Sequence, residues 1–151
     1  MKPLDLVLLW HMHQPDYRDP ASGEFLFPWV YLHAIKDYSD MAWHLEQGPG
    51  IRATVNLVPV LLDQIEDYER QFDRGELRDP LLRLLVHPEP EPMDDAQREL
   101  ALDSCFRNNH ARMIDPFPAY RCLHRIYQQC EGGGHIGRGY LSGQYLADLL
   151  T

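Results

Sequence analysis

The segment LDLVLLW, residues 4–10, runs straight into HMHQP, residues 11–15. A short run of apolar, branched residues, broken only by Asp5, predicts a strand buried on both faces, as in a parallel sheet. Parallel strands need a long crossover between them, so this start points the chain to an α/β architecture. His11 and His13 stand one residue apart at the strand's C-terminal end, and side chains at that spacing leave on the same side. In parallel α/β proteins that edge hosts ligands and chemistry.

The rest of the N-terminal half keeps the same rhythm. Residues 14–28, QPDYRDPASGEFLFP, are a loop by their prolines, glycine and aspartates, yet Tyr17, Phe25 and Phe27 give it apolar mass. A loop with that many rings is expected to fold over something. A helix is predicted from Trp29 to Gln47, with Val30, Ala34, Tyr38, Met41 and Leu45 at helical spacing, ended by GPG at 48–50. IRATVNLV, 51–58, alternates as a second strand, and Pro59 opens a helix to about Phe72 with Leu61, Ile65, Tyr68 and Phe72 on one stripe. Strand, helix, strand, helix in this order implies a parallel pair with a right-handed crossover.

The remainder is helical. Asp79 and Pro80 open DPLLRLLVH; PEPEP, 88–92, is a rigid spacer; residues 94–113 and 116–130 read as two helices, the second opened by Asp115 and Pro116. EGGGHIGRG, 131–139, is a glycine-rich break that must bend or approach something closely, and a last helix starts near Ser142. That helix stops in mid-pattern, and two strands cannot make a stable sheet covered by helices on both faces. The chain is therefore expected to be the N-terminal piece of something larger.

Composition narrows the partners. With 23 acidic and 14 basic residues the formal charge is −9, which disfavours nucleic acid and anionic membrane surfaces. No run approaches the roughly 20 apolar residues of a membrane span, and the N-terminal run is too short for a secretory signal. A cytoplasmic protein is expected. Cys105, Cys122 and Cys130 form no C-x-x-C pair and read as free thiols, buried or half-buried.

For the histidines, the bland reading is backbone capping. Against it, His11, His13 and Gln14 sit at one strand end, and Asn56 near the end of the second strand looks toward the same mouth. Phe27 and Trp29 offer ring faces. Neutral donors and acceptors beside aromatic planes suit a sugar. The rival is a metal-dependent hydrolase or deacetylase, in which H-x-H supplies two imidazole ligands and His33 and Asp37 contribute from the following helix. His44, His87, His110, His124 and His135 show no ligand spacing and read as surface or packing residues. There is no phosphate-loop signature and no G-x-S-x-G elbow.

WHMHQP, FPWVYLHAIKDYSDM and ATVNLVPVLLDQIEDY together resemble glycoside hydrolase family 57. His11, His13, Gln14 and Pro15 match the H-x-H-Q-P element of that family's first motif. The likeness is clearest over about residues 4–70, and GYLSGQYLADLL resembles a helical segment of such proteins. The resemblance implies an incomplete, seven-stranded (β/α)7 barrel, of which residues 1–151 are the N-terminal part of the catalytic domain: two parallel strands followed by a mostly helical segment. It implies a retaining hydrolase or glucanotransferase acting on α-glucans, with a Glu nucleophile and an Asp acid/base. Those carboxylates belong to later motifs, expected beyond Thr151, so no residue here is assigned a catalytic role. The implied substrate contacts are His11 and His13, joined by Gln14, Trp29 and Asn56. No metal or other cofactor is expected. The expected partners are an α-glucan or oligosaccharide and the rest of the barrel in a longer parent chain. A carbohydrate-binding or interaction domain without catalysis is the alternative from another class.

Overall fold

The computed structural model describes residues 5–86 and 93–151. It divides into two compact units, Met1–Pro80 and Leu81–Thr151. In the first unit the order is β1 (Leu9–Met12), α1 (Trp29–Ile35), α2 (Asp37–Gln47), β2 (Thr54–Leu57) and α3 (Pro59–Arg74). β1 and β2 pair in parallel, with Leu9 opposite Thr54 and His11 opposite Asn56. The predicted parallel pair is present, with shorter strands than the apolar runs proposed.

Burial on both faces of β1 is not observed. Leu9 is 62 % exposed and Leu57 48 %, while Trp10 and Met12 are half-buried. The reason is layer count. Among the described residues the sheet has two strands, and all four residues of β2 are exposed, so neither face is sealed by a second layer.

The predicted helix 29–47 is two helices, broken at Lys36 (φ −124°, ψ −75°). Asp37 and Asp40 fall in the first turn of α2, where carboxylates complement the positive helix end. Of the stripe predicted for this segment, Val30 alone is fully buried. The other buried apolar side chains of this unit are Phe25, Leu61 and Tyr68, with the Phe25 and Tyr68 rings 4.2 Å apart.

α3 buries Leu61 and Tyr68 of its predicted apolar stripe, but polar residues take the rest of its inner face. Leu61, Gln64, Asp67, Tyr68 and Gln71 are buried, whereas Phe72 is 48 % exposed. The helix ends on Gly75, whose φ of +68° is the left-handed conformation of a glycine cap.

In the second unit α4 (Pro80–Val86) begins at the unit boundary on its predicted proline. PEPEP and His87 lie outside the described residues. α5 (Asp95–Phe106) starts with a capping box: Asp94 accepts from the Gln97 backbone N–H at 2.8 Å, and Gln97 accepts from the Asp94 N–H at 3.0 Å. Asp94→Ala is expected to cost about 1 kcal/mol of helix stability, read as a lower urea midpoint for the second unit. An unchanged midpoint would show the cap to be redundant.

The predicted helix 94–113 is also split, into α5 and α6 (His110–Met113). The break falls at Asn108 and Asn109, and the Asn108 amide donates to the Cys105 carbonyl at 2.8 Å. Side chains of this kind compete with the backbone ladder. α7 (Pro118–Glu131) opens at Phe117 and Pro118 rather than at Asp115 and Pro116.

The glycine-rich stretch is a short helix, α8 (Gly134–Gly139), rather than a plain break. The expected close approach is there: a Cβ on Gly137 would overlap the Cys130 carbonyl oxygen. α9 (Gly143–Leu150) starts on Ser142, whose hydroxyl accepts from the Tyr145 N–H at 3.1 Å. Ala101, Leu102, Phe106, Ile114, Tyr127, Leu141, Tyr145 and Leu146 form the core of this unit. The three cysteines are free thiols; Cys105 and Cys130 are half-buried and Cys122 is exposed. No helix among the described residues is long and apolar enough to cross a membrane.

Candidate functional site at the ends of the parallel strands

Parallel register puts His11 directly beside Asn56. The Asn56 amide nitrogen donates to His11 Nδ1 at 3.1 Å. That bond makes Nδ1 the acceptor, so the neutral ring carries its proton on Nε2. The His11 and His13 rings stack, centroids 5.7 Å apart and planes 7° from parallel. All three side chains are exposed. The structure therefore brings His11, His13 and Asn56 together.

Gln14 and Trp29 belong to a second group. Gln14 Oε1 accepts from the Tyr17 hydroxyl at 2.8 Å. Tyr17 meets Phe27 edge-on at 6.0 Å, and Phe27 stacks on Trp29 at 6.4 Å. Among the described residues no ring contact or hydrogen bond joins Trp29 to the histidine pair.

The loop carrying this second group is ordered by buried polar contacts. Gln64, fully buried, accepts from the Tyr17 N–H at 3.0 Å and donates to the Pro15 and Val60 carbonyls at 2.9 and 3.0 Å. Arg18 reaches Asp16, Asp63 and Asp67 at 2.8, 2.6 and 3.1 Å. Asp67 also binds Arg78, which donates to the Gly23 carbonyl at 2.9 Å. Gly23 has φ +72°, and a side chain there would meet that guanidinium. Asp19 and Glu24 close the tip, where the Asp19 N–H donates to the Glu24 carbonyl at 2.8 Å. Burial pushes the Asp67 carboxyl up, but hydrogen bonds and charge from Arg78 and Arg18 outweigh it, and the net shift is downward.

The metal alternative finds little geometry. His33 Nδ1 bonds Asp37 directly, which draws the Asp37 carboxyl below its ordinary value. Among the described residues no three His, Cys, Asp or Glu side chains are grouped as metal ligands.

Sequence reasoning missed Arg18, Gln64, Asp67 and Arg78 as the frame of the loop. A signal existed in the spacing of Leu61, Gln64, Asp67, Tyr68 and Gln71 on one helical face. It was hidden because polar residues ordinarily mark the solvent side. His110 and His124, read as surface or packing residues, do pack: their rings lie 4.4 Å apart, a pairing that their sequence spacing does not announce.

Parallel strands joined through helices, with polar side chains converging at their C-terminal ends, define an α/β protein of the kind that takes ligands at that edge. The model of glycosyl hydrolase family 57 matches residues 7–131, most of the 151-residue chain. The chain belongs to that family. No curated protein and no solved structure matches it. Family membership supports a glycosidase or glucanotransferase type of function on a carbohydrate substrate.

Proposed function

We propose that this chain supplies a sugar subsite of a retaining enzyme that hydrolyses or transfers α-glucans. His11 and His13 hold the sugar, Asn56 sets the His11 tautomer, and Gln14 and Trp29 extend the contact surface. The nucleophilic Glu and the acid/base Asp come from a part of the enzyme outside these residues, which also completes the barrel around β1 and β2.

The observation that carries this reading is the in-register Asn56–His11 bond beside the stacked His13, within a chain of this family. The bond uses neither the ring Nε2–H nor the amide carbonyl of these exposed side chains, which leaves one donor and one acceptor for sugar hydroxyls. Retaining cleavage needs two carboxyl groups roughly 5–5.5 Å apart across the scissile bond. Among the described residues no carboxylate bonds to His11, His13 or Asn56. The exposed apolar residues of the sheet fit a structure completed by further strands.

The purified 151-residue chain is expected to show no turnover of soluble starch or maltooligosaccharides. In a longer protein that contains it, His13→Ala is expected to lower kcat/KM at least about tenfold, the worth of one hydrogen bond to a transition state, with the thermal midpoint little changed. Retaining turnover by the chain alone, or full activity of the His13→Ala enzyme, would overturn the proposal.

A further inference from the structure

A cavity of about 400 Å³ opens between the C-terminal half of α5, α6 and α7. Its floor is apolar: Phe106 and Tyr127, both 7 % exposed, stack at 4.8 Å. Its walls carry Asp103, Arg107, His110, His124, Gln128 and Glu131.

His124 is the unusual member. It is 8 % exposed and packs against Phe106 at 5.1 Å and His110 at 4.4 Å. Its ring has no hydrogen-bond partner among the described residues. Among the described residues Gln71 Nε2 and Asn108 Oδ1 are sealed polar atoms without a partner and the His124 nitrogens are not among them, so the ring keeps access to the open cavity. Burial first, then the neighbouring His110, hold its pKa below the usual imidazole value. A neutral imidazole both donates and accepts. His110 donates its Nε2 proton to the Phe106 carbonyl at 2.9 Å, which leaves Nδ1 as an acceptor.

The charges select the ligand class. Asp103 and Glu131 disfavour an anion. Arg107 disfavours a cation, and so does Arg138, which lies over the Tyr127 ring and 3.7 Å from Glu131. The walls also lack the grouping of a metal site. What remains is a neutral molecule with hydroxyls that donate and accept at once. Planar amide, imidazole, carboxylate and guanidinium groups bind adjacent hydroxyls in pairs.

We infer that this cavity is a second saccharide site, separate from the histidine pair of β1, sized for about one or two hexose units. The inference stands on the cavity's own chemistry rather than on the reading of the β1 site.

The test is a titration of the full chain with maltose, following the ring signals of its histidines by NMR. His110 and His124 are expected to shift saturably, and to do so equally in the His11→Ala/His13→Ala double variant. Gln128→Ala, an exposed helix position, is expected to weaken the affinity about tenfold. His124→Phe, which retains packing against Phe106, is expected to abolish the His110 shift. Inorganic phosphate is expected to leave all these signals in place. Shifts confined to His11 and His13, an equal response to phosphate, or an affinity unchanged by Gln128→Ala would each overturn the second site. Because the two sites report through different histidines, the absence of shifts at His11 and His13 would count against the β1 reading alone.

Discussion

Gln64→Leu is expected to destabilise the first unit by about 3 kcal/mol. The substitution retains volume and apolar fit, so little of the cost is cavity. The cost comes from the loop. Gln64 bonds the Tyr17 N–H and the Pro15 carbonyl, the two backbone groups that frame Asp16. Leucine leaves both without a partner, and each orphaned group costs about 1–3 kcal/mol when water cannot replace the bond. The consequence reaches the candidate site. Pro15 directly follows His13 and Gln14, so a loosened Pro15–Tyr17 segment releases Gln14 and the Tyr17–Phe27–Trp29 ladder. Urea unfolding measures the stability, and hydrogen exchange at the Tyr17 amide measures the loop. A loss below about 0.5 kcal/mol, the scatter of ordinary surface changes, with Tyr17 still protected, would show that Gln64 does not hold the loop.

Asp67→Asn is expected to cost about 2 kcal/mol. Removing one partner of a buried ion pair costs about 3–5 kcal/mol when the other charge is stranded in the interior. Here the stranded charges keep some relief. Arg18 retains Asp16 and Asp63, and the Arg78 side chain is 39 % exposed. The same carboxylate makes the first unit acid-sensitive. Its folded pKa lies below the ordinary 3.8, so its stabilisation is complete above that value and is lost as pH falls through the depressed one. An acid-unfolding curve of the wild type is expected to lose part of its stability in that window, and the Asp67→Asn curve to lose less. Parallel curves for the two proteins would place the acid sensitivity elsewhere.

The local signals that proved readable were those carried by a few neighbouring residues. Pro59 and Pro80 open α3 and α4, and Ser142 caps α9, because a proline ring or a capping hydroxyl acts within one helical turn. Likewise the H-x-H spacing alone put His11 and His13 on one side of a strand. Helix continuity was less readable. Lys36 and the Asn108–Asn109 pair interrupt segments whose periodicity ran straight through; at Asn108 the side-chain amide bonds the Cys105 carbonyl, a contact that hydropathy does not register.

By itself, then, the sequence determined the parallel pairing of two strands across a helical crossover, the family, and the side of β1 from which both histidines project. These rest on period, spacing and motif, which are properties of the chain before it folds. Only the tertiary structure decided that Gln64 and Asp67 share the inner face of α3 with Leu61 and Tyr68, because they are buried by partners 49 residues away in Pro15 and Arg18. It also decided that His110 and His124 meet, since two helices must pack before residues on each can share a cavity. A polar side chain is inward or outward according to whether a distant group satisfies it, and that balance exists only once the distant group has arrived.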